Sequence, residues 1–349
     1  MKTSVLMAMV LVASLVGAQE WKFVVSGDSR NCGDIVVPAI SEGVKKDAAE
    51  FYWHLGDFRA IYAIDEDISN RAKSPWMKSL GEYQKIAWQD AIEKQLGGFG
   101  GLPVYVGIGN HETIPPKTRG EFVETFSKWL DAPAIHSQRE KDSSDLTVKT
   151  YYHWRQKGID FIYLDNASAD EFDAGQLTWF EKTLAAAKQD STVKAIVVGM
   201  HAALPNSLAE GHSMNNWKAG EESGMRVYTD LVDFRNQTKK NVYVLASHSH
   251  FYMKGIFDTP YWKVHGGVLP GWIVGTAGAH RYKLPEDAKK AEEAKTNVYG
   301  YLLATAHESG SIDFRFKELP ESAIPRDVVA EFGASLVHEC FVGNSDVRH

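Results

Sequence analysis

Five short apolar runs in this chain each stop abruptly at side chains that do not belong in a core. Residues 21–25 lead into Ser26-Gly27-Asp28-Ser29-Arg30-Asn31, and residues 50–55 into Gly56-Asp57-Phe58-Arg59. Residues 102–108 lead into Gly109-Asn110-His111-Glu112, residues 193–198 into Gly199-Met200-His201, and residues 241–246 into Ser247-His248-Ser249-His250. Apolar runs of this length predict buried strands. Helical patterns lie among them, over residues 38–50, 82–96, 120–130, 173–189 and 225–236. Strands alternating with helices predict an α/β chain whose sheet has parallel members. In such sheets ligands gather outside the carboxyl ends of the strands. Blocks far apart in sequence are therefore expected to meet at one edge.

The chemistry of those blocks is that of a metal site. Asp28, Asp57, Asn110, His201, His248 and His250 offer two carboxylates, one amide and three imidazoles. Mixed nitrogen and oxygen donors suit Fe, Mn, Zn or Co better than Ca or Mg. Six donors exceed what one open catalytic site needs and suit two ions sharing a carboxylate. No Gly-X-Ser-X-Gly elbow is present, which argues against a serine hydrolase. The glycine cluster at residues 97–101 lacks a following Lys-Ser/Thr and reads as a turn, not a phosphate cradle.

Taken in order, Asp28, Gly56-Asp57, Gly109-Asn110-His111-Glu112, His201 and His248-Ser249-His250 resemble the motifs of the calcineurin-like metallophosphoesterases, which include the purple acid phosphatases. The motifs run from residue 27 to residue 250. Asp165, Asn166 and Gln176-Leu177-Thr178-Trp179-Phe180 are similar to that family between its third and fourth blocks. The resemblance implies an α-β-β-α fold, with a two-sheet β-sandwich core flanked by helices. It implies that Asp57 bridges two divalent or trivalent ions. Asp28 and His250 would bind the first ion, and Asn110, His201 and His248 the second. His111 would stand beside the substrate. The implied reaction is hydrolysis of a phosphate monoester or diester by a metal-activated hydroxide.

Two positions depart from the family. Arg30 stands where many members carry a histidine ligand, and Ala60 where the purple acid branch has a tyrosine; Tyr62 is close but out of register. A guanidinium forks onto phosphate oxygens and is no metal ligand. Arg30 and Arg59 are therefore candidates for phosphoryl contact, the alternative being ion pairs with Asp34, Asp65 or Glu66. The incomplete first motif also motivates a second reading: a non-catalytic binding or scaffold protein with a degenerate metal site.

Lys2, the apolar run 5–16 and the small residues Val16-Gly17-Ala18 read as a signal peptide over residues 1–18. That run falls short of the ~20 residues a spanning helix needs. Residues 19–349 carry no repeat or linker and read as one metallophosphoesterase domain. The expected location is secreted or periplasmic, with no integral membrane segment after cleavage. There, Cys32 and Cys340 are either a disulfide tying the tail to the first loop or two separate thiols. A net charge of −7 without a long basic run excludes general nucleic-acid binding. The expected partner is a small-molecule or lipid-head-group phosphate ester. His54, inside an apolar run, reads as a satisfied core histidine, while His212 and His280 are candidates to border the site. Residues 137–145 and 205–222 read as loops.

Overall fold

The computed structural model describes residues 20–69, 79–209 and 211–346. Twelve strands form among them: β1 Trp21–Ser26, β2 Tyr52–His54, β3 Val104–Val106, β4 Tyr152–Gln156, β5 Ile159–Leu164, β6 Ala195–Met200, β7 Asn241–Ala246, β8 Tyr252–Lys254, β9 Gly271–Val274, β10 Glu293–Lys295, β11 Gly300–Ala306 and β12 Ile312–Glu318. They make two sheets, of five strands in the order β12-β11-β1-β2-β3 and seven in the order β10-β8-β9-β7-β6-β5-β4. β1, β2 and β3 are parallel, as are β5, β6, β7 and β9. The remaining pairings are antiparallel. β4 and β5 form a hairpin whose turn residues Lys157 and Gly158 have φ of 47° and 82°. Positive φ at both turn positions matches the twist of the flanking strands.

The central strands are buried on both faces, and their two-residue period divides two cores. Phe161 and Tyr163 of β5 point into the core between the sheets, while Ile162 and Leu164 face the outer layer. β6 divides the same way, with Ala195 and Val197 inward and Ile196 and Val198 outward. The inter-sheet core is strongly aromatic. Tyr105 stacks on Trp154 at 3.9 Å, and Trp53 meets Trp154 edge-on at 5.2 Å. Helices Ala174–Gln189 and Lys218–Thr238 cover the outer face of the larger sheet through Phe180, Leu184, Val227 and Leu231. Helix Gly33–Lys46 packs through Ile35, Val36 and Ile40 into the core that includes the smaller sheet. This is the expected α/β arrangement of two sheets flanked by helices.

Several local expectations change. Of the expected loop 137–145, residues 137–142 belong to the helix Pro133–Asp142. Pro133 opens it at a position where proline's missing N–H costs nothing, and its polar surface suits a helix half in solvent. Helix Lys218–Thr238 begins well inside the expected loop 205–222. Two glycines that would weaken an isolated helix serve packing there: a Cβ on Gly220 would sit 2.5 Å from the Asp170 carbonyl, and one on Gly224 2.5 Å from Pro205. β8 and β10, three residues each, carry too little pattern to read. Cys32 and Cys340 are joined in a disulfide, which fastens the C-terminal helix Ala334–Val342 to the start of helix Gly33–Lys46. The expected signal segment, residues 1–18, lies outside the described residues. Among the described residues no helix is long and apolar enough to cross a membrane.

Candidate metal centre

The polar blocks meet where the carboxyl ends of the two sheets face each other. The smaller sheet delivers oxygen donors: Asp28 after β1, Asp57 after β2 and Asn110 after β3. The larger sheet delivers nitrogen: His201 after β6, and His248 and His250 after β7. The loops are sharply bent. Asp28, Asp57 and His248 have φ of 58°, 62° and 65°, a region that non-glycine residues rarely occupy and that often marks functional sites. Two glycines allow the bends. Gly56 has φ of 97°, and a Cβ there would lie 2.4 Å from the Gly109 nitrogen, while a Cβ on Gly109 would lie 2.2 Å from Asp57 Oδ1. The second and third blocks thus touch backbone to backbone.

Glu112 locks that contact. Its carboxylate accepts N–H bonds from Asp57 at 2.9 Å, Phe58 at 2.9 Å and Gly109 at 2.7 Å. Burial and the neighbouring Asp57 nevertheless push its pKa up to about 8. Sequence reasoning assigned Glu112 no role, because its partners are main-chain groups of two separate blocks.

Asp57, Asn110, His201 and His248 converge on one point. His201 Nδ1 donates to the Leu55 carbonyl at 2.9 Å, which leaves the Nε2 lone pair facing inward. That nitrogen lies 3.0 Å from Asn110 Oδ1, 3.1 Å from His248 Nδ1 and 3.3 Å from Asp57 Oδ2. Asp57 Oδ2 is buried and accepts no hydrogen bond. Lone pairs gathered at such range are well matched to a cation among them. Either His201 takes a proton or a metal ion takes its place. Burial opposes a charged ring, but Asp57 and Asp28 outweigh it and push His201 up to about 10. Burial and the adjacent His201 push His248 well below its ordinary range, so that ring is a neutral ligand. Donor types, spacing and the carbonyl that orients His201 all fit a first-row transition metal.

Asp28 and His250 stand beside this set. Asp28 Oδ2 accepts from the His248 N–H at 2.7 Å and from the Ser247 hydroxyl, whereas Oδ1 is buried with no hydrogen-bond partner. His250 Nδ1 donates to the His280 carbonyl at 2.6 Å, and its Nε2 lies 3.3 Å from Asp28 Oδ1. Burial would raise both carboxylates. Instead His250 and His201 hold Asp28 low, and His111 and His201 hold Asp57 low. Burial and Arg30 push His250 down to about 4. Arg30 lies against this half of the site, with Nη2 at 3.3 Å from His250 Nε2.

His111 is buried at the edge of the cluster, its Nε2 3.6 Å from Asp57 Oδ2. Its Nδ1 donates at 2.6 Å to the carbonyl of Ala60, the position where a tyrosine ligand was absent. Burial lowers its pKa, against the pull of Asp57. Tyr62 packs its ring 5.3 Å from His111 and accepts from Arg30 Nη1 at 3.1 Å.

Arg59 takes the ion-pair alternative. It is fully buried, 2.6 Å from Asp34 and 2.5 Å from Asp90, with Asp67 and Asp65 at 3.4 and 3.9 Å. It is an internal ion-pair hub and not a phosphoryl contact. His54 is the satisfied core histidine expected: it accepts from Gly56 N–H at 3.2 Å and donates to Ser29 Oγ at 2.9 Å. The His212 ring lies 5.3 Å from His248 and 5.0 Å from Tyr282, on the rim of the cluster. His280 turns its ring away, to Asn344 and Asp346, and serves the site through its carbonyl. Asp165, braced by Gln176 and Arg119, and Asn166, bonded to Ala202, hold the loop beside His201 in place.

No protein-family model matches the chain, and no curated protein matches it in sequence. Solved structures do. A purple acid phosphatase from yellow lupin (Lupinus luteus) seeds superposes with a TM-score of 0.56 at 15% identity, over 86% of this chain and 52% of that one. The chain thus spans about half the length of the lupin protein. PhoD gives a TM-score of 0.54 at 14% identity, over 92% of this chain and 77% of its own. The chain has the calcineurin-like metallophosphoesterase fold. A dimetal phosphatase from Danio rerio adds a TM-score of 0.51 at 10% identity, over 86% of this chain and 98% of that one. In this chain the loops after β1, β2, β3, β6 and β7 carry the donors described above.

Proposed function

We propose that this protein is a metal-dependent phosphoric ester hydrolase acting on small-molecule or lipid-head-group phosphate esters. One observation carries the reading: Asp57 Oδ2, Asn110 Oδ1 and His248 Nδ1 converge on His201 Nε2, at 3.3, 3.0 and 3.1 Å, and Asp57, His201 and His248 form a group able to hold a metal ion. A transition metal held by these residues supplies an activated water and screens phosphoryl charge. The chain's own residues do the rest. Asp57 is fixed by the His111 N–H and, through its backbone, by Glu112. His111, with Nδ1 tied to Ala60, presents Nε2 on the Asp57 side, where it donates to a phosphoryl or leaving oxygen when protonated. Arg30 offers guanidinium N–H groups to the phosphoryl oxygens. The sequence-based expectation of two ions meets one well-formed donor set and a second set, Asp28 and His250, shared with Arg30. The disulfide supports a secreted or periplasmic location, since such bonds persist in oxidising compartments.

The test is hydrolysis of a panel of aryl phosphomonoesters and diesters alongside elemental analysis. Asp57→Asn and His248→Ala are expected to abolish turnover and lower bound metal while the fold, followed by circular dichroism, persists. Turnover at the parental rate in both variants would count decisively against the proposal. Metal binding without turnover on any ester would favour the scaffold reading.

A further inference from the structure

We propose that the Arg30 guanidinium occupies the role of one metal ion of a pair, so that the centre holds a single ion at Asp57, Asn110, His201 and His248. This deepens the proposed function and rests on it. A second ion would need Asp28 Oδ1, the His250 Nε2 lone pair and a share of Asp57. Because His250 Nδ1 donates to the His280 carbonyl, Nε2 has one lone pair to give. Arg30 Nη2, at 3.3 Å, takes it. One lone pair cannot serve an N–H donor and a metal together.

The guanidinium is also held in place. It is 6% exposed. Nη1 donates to Tyr62 Oη and Nη2 to Tyr282 Oη, each at 3.1 Å. Tyr282 in turn stacks on His250 at 4.0 Å, so the arginine, tyrosine and imidazole form one packed group. The backbone beneath is pinned as well: Asp28 N–H donates to the Gly56 carbonyl at 3.0 Å and Ser29 N–H to the Asp57 carbonyl at 2.9 Å. Two residues past Arg30, Cys32 is bonded to Cys340.

A permanent cation at this point repels a second ion and partly neutralises Asp28 and Asp57. It screens phosphoryl charge as an ion there would, and the N–H groups not taken by His250, Tyr282 and Tyr62, the unpartnered Nε–H among them, are those left to donate to a phosphoryl oxygen. It cannot act as a Lewis acid on water, so water activation falls to the one metal.

The experiment is metal stoichiometry on the purified full chain, stripped with chelator and reloaded with Mn2+, read by elemental analysis and electron paramagnetic resonance. The parent is expected to bind one equivalent and give the spectrum of an isolated Mn2+. Arg30→His, which restores an imidazole in place of the cation, is expected to bind two equivalents and show a spin-coupled pair. Arg30→Lys, which keeps the charge, is expected to remain at one. Two equivalents in the parent, or one in Arg30→His with native circular dichroism, overturn the inference while leaving the hydrolase reading standing. No bound Mn2+ in the parent overturns this inference, and the hydrolase reading falls with it only if the protein as purified also holds no metal and hydrolyses no ester.

Discussion

Single residues divide here by what surrounds them more than by what they are. Arg30 and Arg59 each follow a ligand block and look equivalent in sequence. One is sealed among Asp34, Asp65, Asp67 and Asp90, and the other lies against His250. Glu112 is the sharper case. It accepts three N–H bonds, which fix Asp57, Phe58 and Gly109. Glu112→Gln replaces one acceptor oxygen with an NH2 that faces donors. It is expected to cost about 1–3 kcal/mol of stability and about 10–100-fold in metal affinity through Asp57. Urea unfolding and competition with a metal-binding dye measure the two effects. An unchanged metal affinity would show that Glu112 serves the fold alone. The six donors were readable one by one because strands that end in such groups have no structural use for them. Glu112 was not, because its partners are main-chain atoms.

At the level of elements, the ends of strands hold the site, and the edge of the larger sheet holds a buried charge cluster apart from it. His153 of β4 lies 2.7 Å from Asp160 on β5 and 2.5 Å from Asp142 at the end of helix Pro133–Asp142. Arg155 pairs with Asp160 at 2.9 Å, and the Trp179 ring packs edge-on at 5.8 Å. Burial disfavours the imidazolium, but Asp160 and Asp142 prevail and push His153 from 6.5 up to about 9. A raised folded-state pKa gives stability that is complete below about pH 6.5 and lost as pH rises through about 9. The stability gap between the parent and His153→Gln is therefore expected to narrow from pH 6.5 to pH 9, by on the order of 1–3 kcal/mol. Chemical denaturation at several pH values across that window tests this. A constant gap would mean that His153 is not charged in the folded protein. The helix that brings Asp142 to it read as a loop, because its residues are polar almost throughout and carry no apolar stripe.

Across the whole molecule, one covalent link joins the first donor-bearing loop to the C-terminal helix. Cys32 and Cys340 are 308 residues apart. Closing so long a loop restricts the unfolded chain, and its removal is expected to lower unfolding free energy by about 2–5 kcal/mol. Cys340→Ser, compared with the parent in oxidising and reducing buffer, tests this. Equal melting of the oxidised parent and the variant would show that the tail is held by packing alone. The amino-acid sequence determined the strands, their carboxyl-terminal polar blocks and the donor types, because a short period and an abrupt change of polarity are local properties. What only the tertiary structure decided is how those donors divide. One sheet supplies oxygens and the other imidazoles, so the centre exists only where two sheets close on an aromatic core. Which arginine faces it, and which half of the donor set a guanidinium occupies, depend on contacts between residues more than 200 positions apart, such as Arg30 with His250. No local pattern encodes them, because they form only after both sheets have packed.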